Sequence, residues 1–559
     1  MKWIIGEPAD SRLARALAGE LGIAPFLAGL LCRRGLGDTE AARNFLQPRL
    51  NSLGDPFELP EMRAAAERIL GAIDRRERIV LYGDYDVDGV TSLALFTRVL
   101  RAYGAEPGAF LPQRADEGYG LSPEGVSRCV TTLRPQLLVA LDCGTSSVAE
   151  IAQLKSEGVD VIVFDHHEIK SARPDCILVN PKLGETHHAL CSAGIVFKAC
   201  HALLKLRQVI GLDLREYLDL VALGTVADIV PLTGENRVLV QKGLRQMEQT
   251  RWAGLRALMD VASVRAPLQP GDVGFRLGPR LNAAGRLGTA GDALKLLLTE
   301  DASEARALAA GLDRQNQERQ LVEQRNQRDA EKMVAEGFDP ARDAAIVVGG
   351  EGWHPGVLGI VASRLSRDFH RPAIVIGFDE NGTGKGSGRS IEGFSLVHAL
   401  AQCGSMLEKF GGHEMAAGLT IRRERFREFQ GAFLDCARAR LTAEDLQPRL
   451  RIDSEVEIAD LDMEFLGHHD LLQPFGIGNP QPVLFSRGVK PAGEPRVLKE
   501  KHLLFDLRQK GARASAIFFN GAETQLPRPP WDMAYRVERN EFRETVSLRI
   551  QIAALRAAE

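Results

Sequence analysis

Between residues 62 and 232, short apolar runs alternate with stretches of helical periodicity, and that alternation limits the fold more than any other feature of the chain. Arg63 to Ile73 reads as a helix, Arg78-Ile79-Val80-Leu81-Tyr82 as a strand, and Thr91 to Tyr103 as a second helix. Leu137-Leu138-Val139-Ala140-Leu141 and Val159 to Phe164 follow as buried strands. Alternation of this kind implies a parallel sheet in a three-layer α/β domain. Such a sheet gathers its ligands at the carboxyl ends of the strands.

The chain has 559 residues. A single core stops growing near ~250–300 residues, so two to four domains are expected. Residues 1–60 read as short helices and loops, with helical periodicity from Leu13 to Leu21 and with Pro56 and Pro60 closing the segment. The α/β domain is expected over 61–290. A long helical stretch, 291–337, has an almost wholly polar middle, Asp313-Arg314-Gln315-Asn316-Gln317-Glu318-Arg319, which fits a solvent-exposed helix bridging two domains. A second α/β unit is expected over 338–445, with strands at Ala344–Val348 and Ala373–Ile376 and a helix from Gly356 to Leu365. From 446 to 559 the segments are short, β-rich and punctuated by Pro and Gly, which suggests a small β-barrel of the OB type.

Composition narrows the function less. A hydrophobic fraction of 45% and a charged fraction of 26% belong to an ordinary globular protein, and the net charge of -4 requires any nucleic-acid-binding charge to be local. The eight cysteines form no C-x-x-C pair, so a zinc cluster is not expected, and their scatter suggests reduced thiols. The first residues lack the apolar region of a signal peptide, and no uncharged apolar run approaches the ~20 residues that span a bilayer. A cytoplasmic, monomeric protein without membrane contact is expected.

The chemistry is carried by acids at strand ends. Gly83-Asp84-Tyr85-Asp86-Val87-Asp88-Gly89 follows a strand, and period-two spacing is expected to hold its three carboxylates on one side of an extended chain. An EF-hand opens in the same way but needs a Glu at its twelfth position, which here is Leu95. Asp142 ends the 137–141 strand, Asp165-His166-His167 follows the 159–164 strand, and Asp228 lies in Gly224-Thr225-Val226-Ala227-Asp228-Ile229. Any one of these acids alone is most simply a helix cap or a turn. Their convergence on one sheet edge is harder to explain structurally, and a carboxylate-rich set with one or two imidazoles suits Mn²⁺ or Mg²⁺ better than zinc. Five or six ligands can hold two ions about 3.5–4 Å apart, and Asp142, on its own strand between the other groups, is the natural bridge.

Asp165-His166-His167 beside Asp84-x-Asp86-x-Asp88-Gly89 resembles the DHH phosphoesterase superfamily. Gly278-Pro279-Arg280-Leu281-Asn282-Ala283-Ala284-Gly285-Arg286-Leu287, Trp353-His354-Pro355-Gly356-Val357-Leu358-Gly359-Ile360-Val361-Ala362 and Phe410-Gly411-Gly412-His413 are similar to motifs of its RecJ branch, in the same order. The resemblance implies parallel-sheet DHH and DHHA1 lobes joined by a long helix, with an OB-fold behind. It also implies a 5′-to-3′ exonuclease that releases 5′-mononucleotides from single-stranded DNA in repair and recombination. Asp86, Asp88, Asp142, His166 and Asp228 are then the metal ligands, and Asp84 joins or adjoins them. Asp84 and Asp142 also belong to the catalytic set with His167, which faces the scissile phosphate. A RecQ-like helicase and a single-strand binding protein are the implied partners. A small-molecule phosphatase of the superfamily would lack the basic barrel, and a scaffold that had lost its ligands would not carry an acid or histidine at every ligand position.

Substrate handling is expected elsewhere. Gly384-Lys385-Gly386-Ser387-Gly388-Arg389-Ser390 fails the P-loop pattern, because Asp379 stands where its first glycine belongs. As a flexible nest of backbone N–H groups it suits an anion, and Ser387, Gly388 and Arg389 are expected to grip a terminal 5′-phosphate. Arg114 is expected to add a bidentate phosphate contact. Arg276, Arg280 and Arg286 cluster with Asn282 as further phosphate contacts, while His354 and His413 read equally as phosphate contacts or satisfied core residues. From Pro480 to Ile550 there are 13 Lys and Arg against 8 Asp and Glu. Phe485, Phe505, Phe518, Phe519 and Trp531 interleave with them, most as barrel core and one or two as a platform for bases.

Overall fold

The computed structural model describes residues 1–6, 11–112, 120–169, 172–287, 290–542 and 545–558; the side chains of Ser11, Arg286, Leu287, Glu541 and Phe542 are outside that set as well. Two compact units emerge, one of residues 3–278 with 450–559 and one of residues 1–2 with 279–449.

The first unit is built on five parallel strands, β1 (Ile79–Gly83), β2 (Gly108–Phe110), β3 (Leu137–Leu141), β4 (Asp160–Phe164) and β5 (Ile177–Val179), in the order β2-β1-β3-β4-β5. β1 and β3 are buried along their whole length, which is why they read as unbroken apolar runs. Register does the functional work. Gly83 stands opposite Leu141, and Leu141 opposite Phe164, so residues 84, 142 and 165 leave the sheet side by side. The helix Leu218–Ala227 is apolar on every side and packs among Val87–Ala102, Ser192–Leu206 and Gly234–Glu248.

Three N-terminal helices, Ser11–Leu21, Pro25–Arg33 and Thr39–Leu46, enclose a small core of Leu17, Leu27, Leu30 and Leu31 that the fully buried Leu472 completes. Arg237, 2% exposed, fastens this region. Its guanidinium lies 3.8 Å from the centre of the Phe45 ring and donates to the carbonyls of Phe45, Leu471 and Leu472 at 2.8, 3.0 and 2.9 Å.

In the second unit, β6 (Ile346–Glu351), β7 (Ala373–Phe378), β8 (Thr383–Arg389), β9 (Lys409–Gly412) and β10 (Ala416–Arg422) form a sheet in the order β9-β10-β8-β7-β6. Only β6 and β7 run parallel. The expected single helix from 291 is two, Gly291–Leu298 and Ala302–Gly337, because the Asp301 side chain accepts from the N–H groups of Ser303 and Glu304 and starts a new helix. Its polar middle is exposed on one side only, at Arg314, Gln317 and Glu318. Asn316, Arg319 and Glu323 are buried: Arg319 donates to Glu323 at 2.6 Å and to Asn316 at 3.0 Å, and Arg364 of the helix Pro355–Phe369 joins Glu323 from the other side.

Residues 450–559 form the expected barrel. After a short β11 (Ser454–Glu455), the strands β12 (Leu484–Pro491), β13 (Arg496–Leu498), β14 (His502–Gln509), β15 (Ala512–Phe518), β16 (Trp531–Phe542) and β17 (Thr545–Ala557) follow. β12, β16, β17, β15 and β14 make a ring of five that closes where Lys490 of β12 meets Arg508 of β14. Phe485, Phe505 and Trp531 are core residues, Phe518 packs against that core, and Phe519 is 39% exposed.

Candidate metal centre

Asp84 emerges directly from β1. The next two acids are held differently from expectation. The helix Val87–Ala102 starts four residues earlier than its periodicity suggests, so Asp86 caps it, accepting from Gly89 N–H at 3.1 Å, and Asp88 lies in its first turn. A strand-to-helix turn, not an extended chain, groups the three carboxylates. Gly89 permits it, since a Cβ there would sit 2.4 Å from the carbonyl oxygen of Asp84.

Asp88 is fixed by the start of the helix Ser192–Leu206. Its Oδ2 accepts from Ser192 N–H at 2.7 Å and its Oδ1 from Ala193 N–H at 2.9 Å, a carboxylate at the positive end of a helix dipole. Ser192 Oγ donates to Asp142 Oδ1 at 3.0 Å, so one helix terminus orients two acids. Asp142 adopts φ +65°, a left-handed backbone that turns its side chain out of the strand direction at a conformational cost. Asp165 is saturated by protein donors: Thr145 N–H on Oδ2, and His166 N–H, His167 N–H and His167 Nδ1 on Oδ1, the last at 2.7 Å. Its carboxyl is therefore held far below the ordinary range although burial opposes this, and its part is to position His167. Asn180 locks the same turn, donating to the carbonyl of His167 and to Thr145 Oγ1, each at 3.0 Å. Neither Ser192 nor Asn180 was marked by the sequence motifs.

His166 stands at the centre. Its Nε2 lies 3.3 Å from Asp142 Oδ1, 3.5 Å from Asp228 Oδ2 and 3.9 Å from Asp88 Oδ2. Neither this nitrogen nor Asp228 Oδ2, both buried, has a hydrogen-bond partner among the described residues. Burial pushes the pKa of His166 down to about 4, with the charge of His167 second, so its ring is neutral and offers a lone pair. Burial, followed by the charges of Asp88 and Asp86, raises the carboxyls of both Asp142 and Asp228. Burial and Asp86 raise Asp88 to about 6, and Asp84 shifts the same way for the same two causes. Ligand atoms of Asp84, Asp86 and Asp142, of Asp142, His166 and His167, and of Asp88, His166 and Asp228 form three groups, each within 4.8 Å. Asp142 and His166 belong to two groups each. Carboxylates crowded against their own repulsion, with a neutral imidazole nitrogen among them, are a donor set for hard divalent cations.

The profile of the DHH family, N-terminal domain, matches residues 78–225, that of the DHHA1 domain residues 343–439, and that of the RecJ OB domain residues 452–554. The single-stranded-DNA-specific exonuclease RecJ of Salmonella typhimurium is 36% identical over 559 aligned residues, covering 94% of this chain and 95% of that one. The chain belongs to the RecJ family. RecJ of Bacillus subtilis is 39% identical over 94% of this chain, which spans 66% of that longer protein. Crystal structures of Thermus thermophilus RecJ superpose over the whole chain, with a TM-score of 0.86 at 32% identity for the Mn²⁺ complex and 0.80 at 30% for the Mg²⁺ complex, covering 80% and 79% of those chains.

Outside the metal centre, this RecJ-family chain departs from several local expectations. Gly384 to Arg389 is no loop but the interior strand β8, whose backbone pairs with β7 on one side and β10 on the other. Its N–H groups belong to those ladders, so Gly388 offers no nest. Its glycines make room for neighbours, since a Cβ on Gly384 would meet Phe378 at 2.5 Å and one on Gly386 would meet Leu419 at 2.8 Å. Ser387 and Arg389 alternate onto one face, where both approach Gly359 of the helix Pro355–Phe369. Arg389 donates to Ser387 Oγ and to Gly388 O, and no acid pairs with it among the described residues. Burial lowers its pKa. His354 caps the helix Pro355–Phe369, its Nδ1 accepting from Gly356 N–H at 3.1 Å. Arg276 donates to the carbonyls of Ala262 and Ser263 and to Asp272, Arg280 pairs with Asp313 at 2.8 Å, Asn282 is half-buried, and His413 is exposed beside β9. Arg114 and the side chain of Arg286 lie outside the described residues.

Proposed function

We propose that the chain is a 5′-to-3′ exonuclease that hydrolyses single-stranded DNA to 5′-mononucleotides with two Mn²⁺ or Mg²⁺ ions, and that it serves DNA repair and recombination in the cytoplasm. The observation that carries this reading is the convergence of Asp84, Asp86, Asp88, Asp142, His166 and Asp228 in linked groups that share Asp142 and His166, whose Nε2 meets no donor among the described residues. The RecJ names of relatives that align nearly end to end supply the substrate class.

Bound among these residues, the ions would supply positive charge that polarises the scissile phosphate and acidifies the attacking water. The chain's own groups then have separate tasks. Asp142, common to two ligand groups, would be shared between the ions, and Ser192 fixes its rotamer. Burial lowers the pKa of His167, but its bond to Asp165, with the charges of Asp165, Asp86 and Asp84, raises it overall. With Nδ1 held by Asp165, His167 suits a hydrogen bond to a non-bridging phosphate oxygen, where it would stabilise developing negative charge. Arg389, with no acidic partner among the described residues, and Ser387 suit the terminal 5′-phosphate, with Arg114, Arg276, Arg280, Asn282, Arg286, His354 and His413 as candidates for the backbone beyond it. A monomer, working with a RecQ-like helicase and a single-strand binding protein, completes the reading.

The test is digestion of matched strands labelled at the 5′ or the 3′ end. With Mn²⁺ or Mg²⁺, the 5′ label should be released as a mononucleotide from the first turnover, while the 3′ label stays on progressively shorter strands. Chelation should stop both. Release of the 3′ label first, or digestion that survives chelation, would overturn the assignment.

A further inference from the structure

A second polar site lies in the first unit, away from the carboxylates. The segment Gln269–Gly271, the end of the helix Met463–Asp470 with the loop to Gln481, and β16 surround a cavity of about 280 Å³. His469 lines it and is only 2% exposed, yet neither ring nitrogen has a hydrogen-bond partner among the described residues; Asp470 stands 3.8 Å from Nδ1. A neutral imidazole carries one donor and one acceptor, and buried polar atoms are rarely left without partners of their own.

The surroundings specify what would supply those partners. Asp470 is held by Arg539 at 2.6 Å and Glu538 by Arg549 at 2.9 Å, so the cations at this site are already neutralised and do not suit a phosphate. Gln473 Nε2 is fixed on Asp470 and Gln481 Nε2 on the carbonyl of Val537, which leaves the two amide oxygens as acceptors. The Phe475 ring packs 5.1 Å from the His469 ring, giving the cavity an aromatic wall. The volume falls just below the ~300–1,000 Å³ range of drug-sized ligand sites, enough for a ligand smaller than those. A planar, uncharged heterocycle with donors and acceptors on one edge fits such a place.

Beside it stands Phe275, 85% exposed, on a single π-helical turn, Val273–Leu277. Its ring lies 3.9 Å from the position of a Cβ on Gly271, which lines the cavity. The same turn rests on the end of the helix that delivers Asp228, with Gly274 against Val226 and Gly278 against Ala227. Wide turns of this kind recur at functional sites, and an exposed ring is a stacking surface for a base.

We propose that this cavity seats one unpaired nucleobase of the DNA strand, with Phe275 stacking at its mouth and His469, Gln473 and Gln481 reading its edge. The proposal rests on the reading of the chain as a single-strand nuclease. It places a base contact at the junction of the barrel with the sheet domain, whereas the barrel's own aromatics are mostly core.

The test uses the full chain with Mn²⁺ and strands whose terminal linkages are phosphorothioate. One 4-thiothymine is moved along the strand, and cross-links are mapped by peptide. Cross-links to the peptides holding Phe275 or His469–Gln481 should arise from a narrow window of positions. Phe275→Ala and His469→Leu should each lower their yield at least fivefold. Phe275 is exposed, so its variant folds even if the histidine variant does not, and melting curves verify both. Free thymidine is titrated alongside. If thymidine binds at the cavity while no strand position cross-links there, the cavity is a free-nucleoside site and the proposal falls. It falls equally if unmodified strands are digested but no cross-link reaches these peptides. Failure of the wild-type protein to digest unmodified strands would instead refute the nuclease reading.

Discussion

Asp142 combines a left-handed backbone with a carboxyl pressed by four neighbouring acids, and the two properties can be separated by mutation. Asn tolerates the left-handed region as Asp does and keeps the shape of the side chain, but it removes the charge. Asp142→Asn should therefore raise the melting temperature of the metal-free protein while lowering strand digestion on the order of 10²–10³-fold. Melting curves with and without Mn²⁺ check the first effect and strand digestion the second. Activity within tenfold of wild type would remove Asp142 from the centre. Arg389 offers a second residue-scale test. Loss of a charged hydrogen bond costs about 1.5–3 kcal/mol, or roughly 10- to 150-fold in rate. Arg389→Ala should show that loss on 5′-phosphorylated strands and little of it on 5′-hydroxyl strands. Equal slowing of both would make Arg389 a general backbone contact.

At the scale of elements, buried side chains decide where the helices dock. The two ring nitrogens of His187 face carboxylate oxygens that accept, Glu235 at 2.7 Å and Glu58 at 3.0 Å, and Glu235 also accepts from Lys198 at 2.6 Å, which ties the turn at Glu58, the loop at His187 and the two helices carrying Lys198 and Glu235 together. The hydrogen bond to Glu235 raises the pKa of His187 against the pull of burial. A raised folded-state pKa gives stability that is complete below the unfolded value near ~6.5 and is lost as pH climbs through the folded one. The gap in melting temperature between wild type and His187→Gln should accordingly be widest near pH 6 and narrow toward pH 9. A gap that widened with pH would contradict the assignment. The same scale explains what the sequence made legible. The three central strands, Ile79–Gly83, Leu137–Leu141 and Asp160–Phe164, and the sheet edge where the acids gather could be read because apolar runs and clustered acids signal themselves. Ser192 and Asn180 could not, since they act through a helix terminus and a turn that exist only after folding. The glycines of β8 were misread as looseness, because a glycine chosen to admit the rings of Phe378 or the branches of Leu419 looks no different from one chosen for freedom. The polar middle of Ala302–Gly337 was legible only in part: Arg314, Gln317 and Glu318 are exposed as expected, but Asn316 and Arg319 are buried, where Arg319 pairs with Glu323 and Glu323 with Arg364 of a neighbouring helix.

For the molecule as a whole, the division into units runs across the order of the chain. Leu472 fills the core of the N-terminal helices, and Leu471 and Leu472 supply two of the three carbonyls that satisfy Arg237. Truncation after Arg449 should therefore lower the melting temperature of what remains, beyond any loss of strand binding. Arg237→Leu in the full chain should reproduce part of that loss, about 1–3 kcal/mol by urea titration, because the three carbonyls are left unpaired. A truncated protein as stable as the whole would refute the link. The interleaving also sets a timetable on the ribosome. Residues 3–278 are made first, but their partners at 450–559 emerge only after 171 intervening residues that belong to the other unit. At about 5–20 residues per second, that interval alone lasts roughly 9–34 s. During it the acids of the metal centre are already synthesised while the plug beneath the N-terminal helices is missing, so the nascent sheet domain must wait, half-closed, for a segment not yet translated.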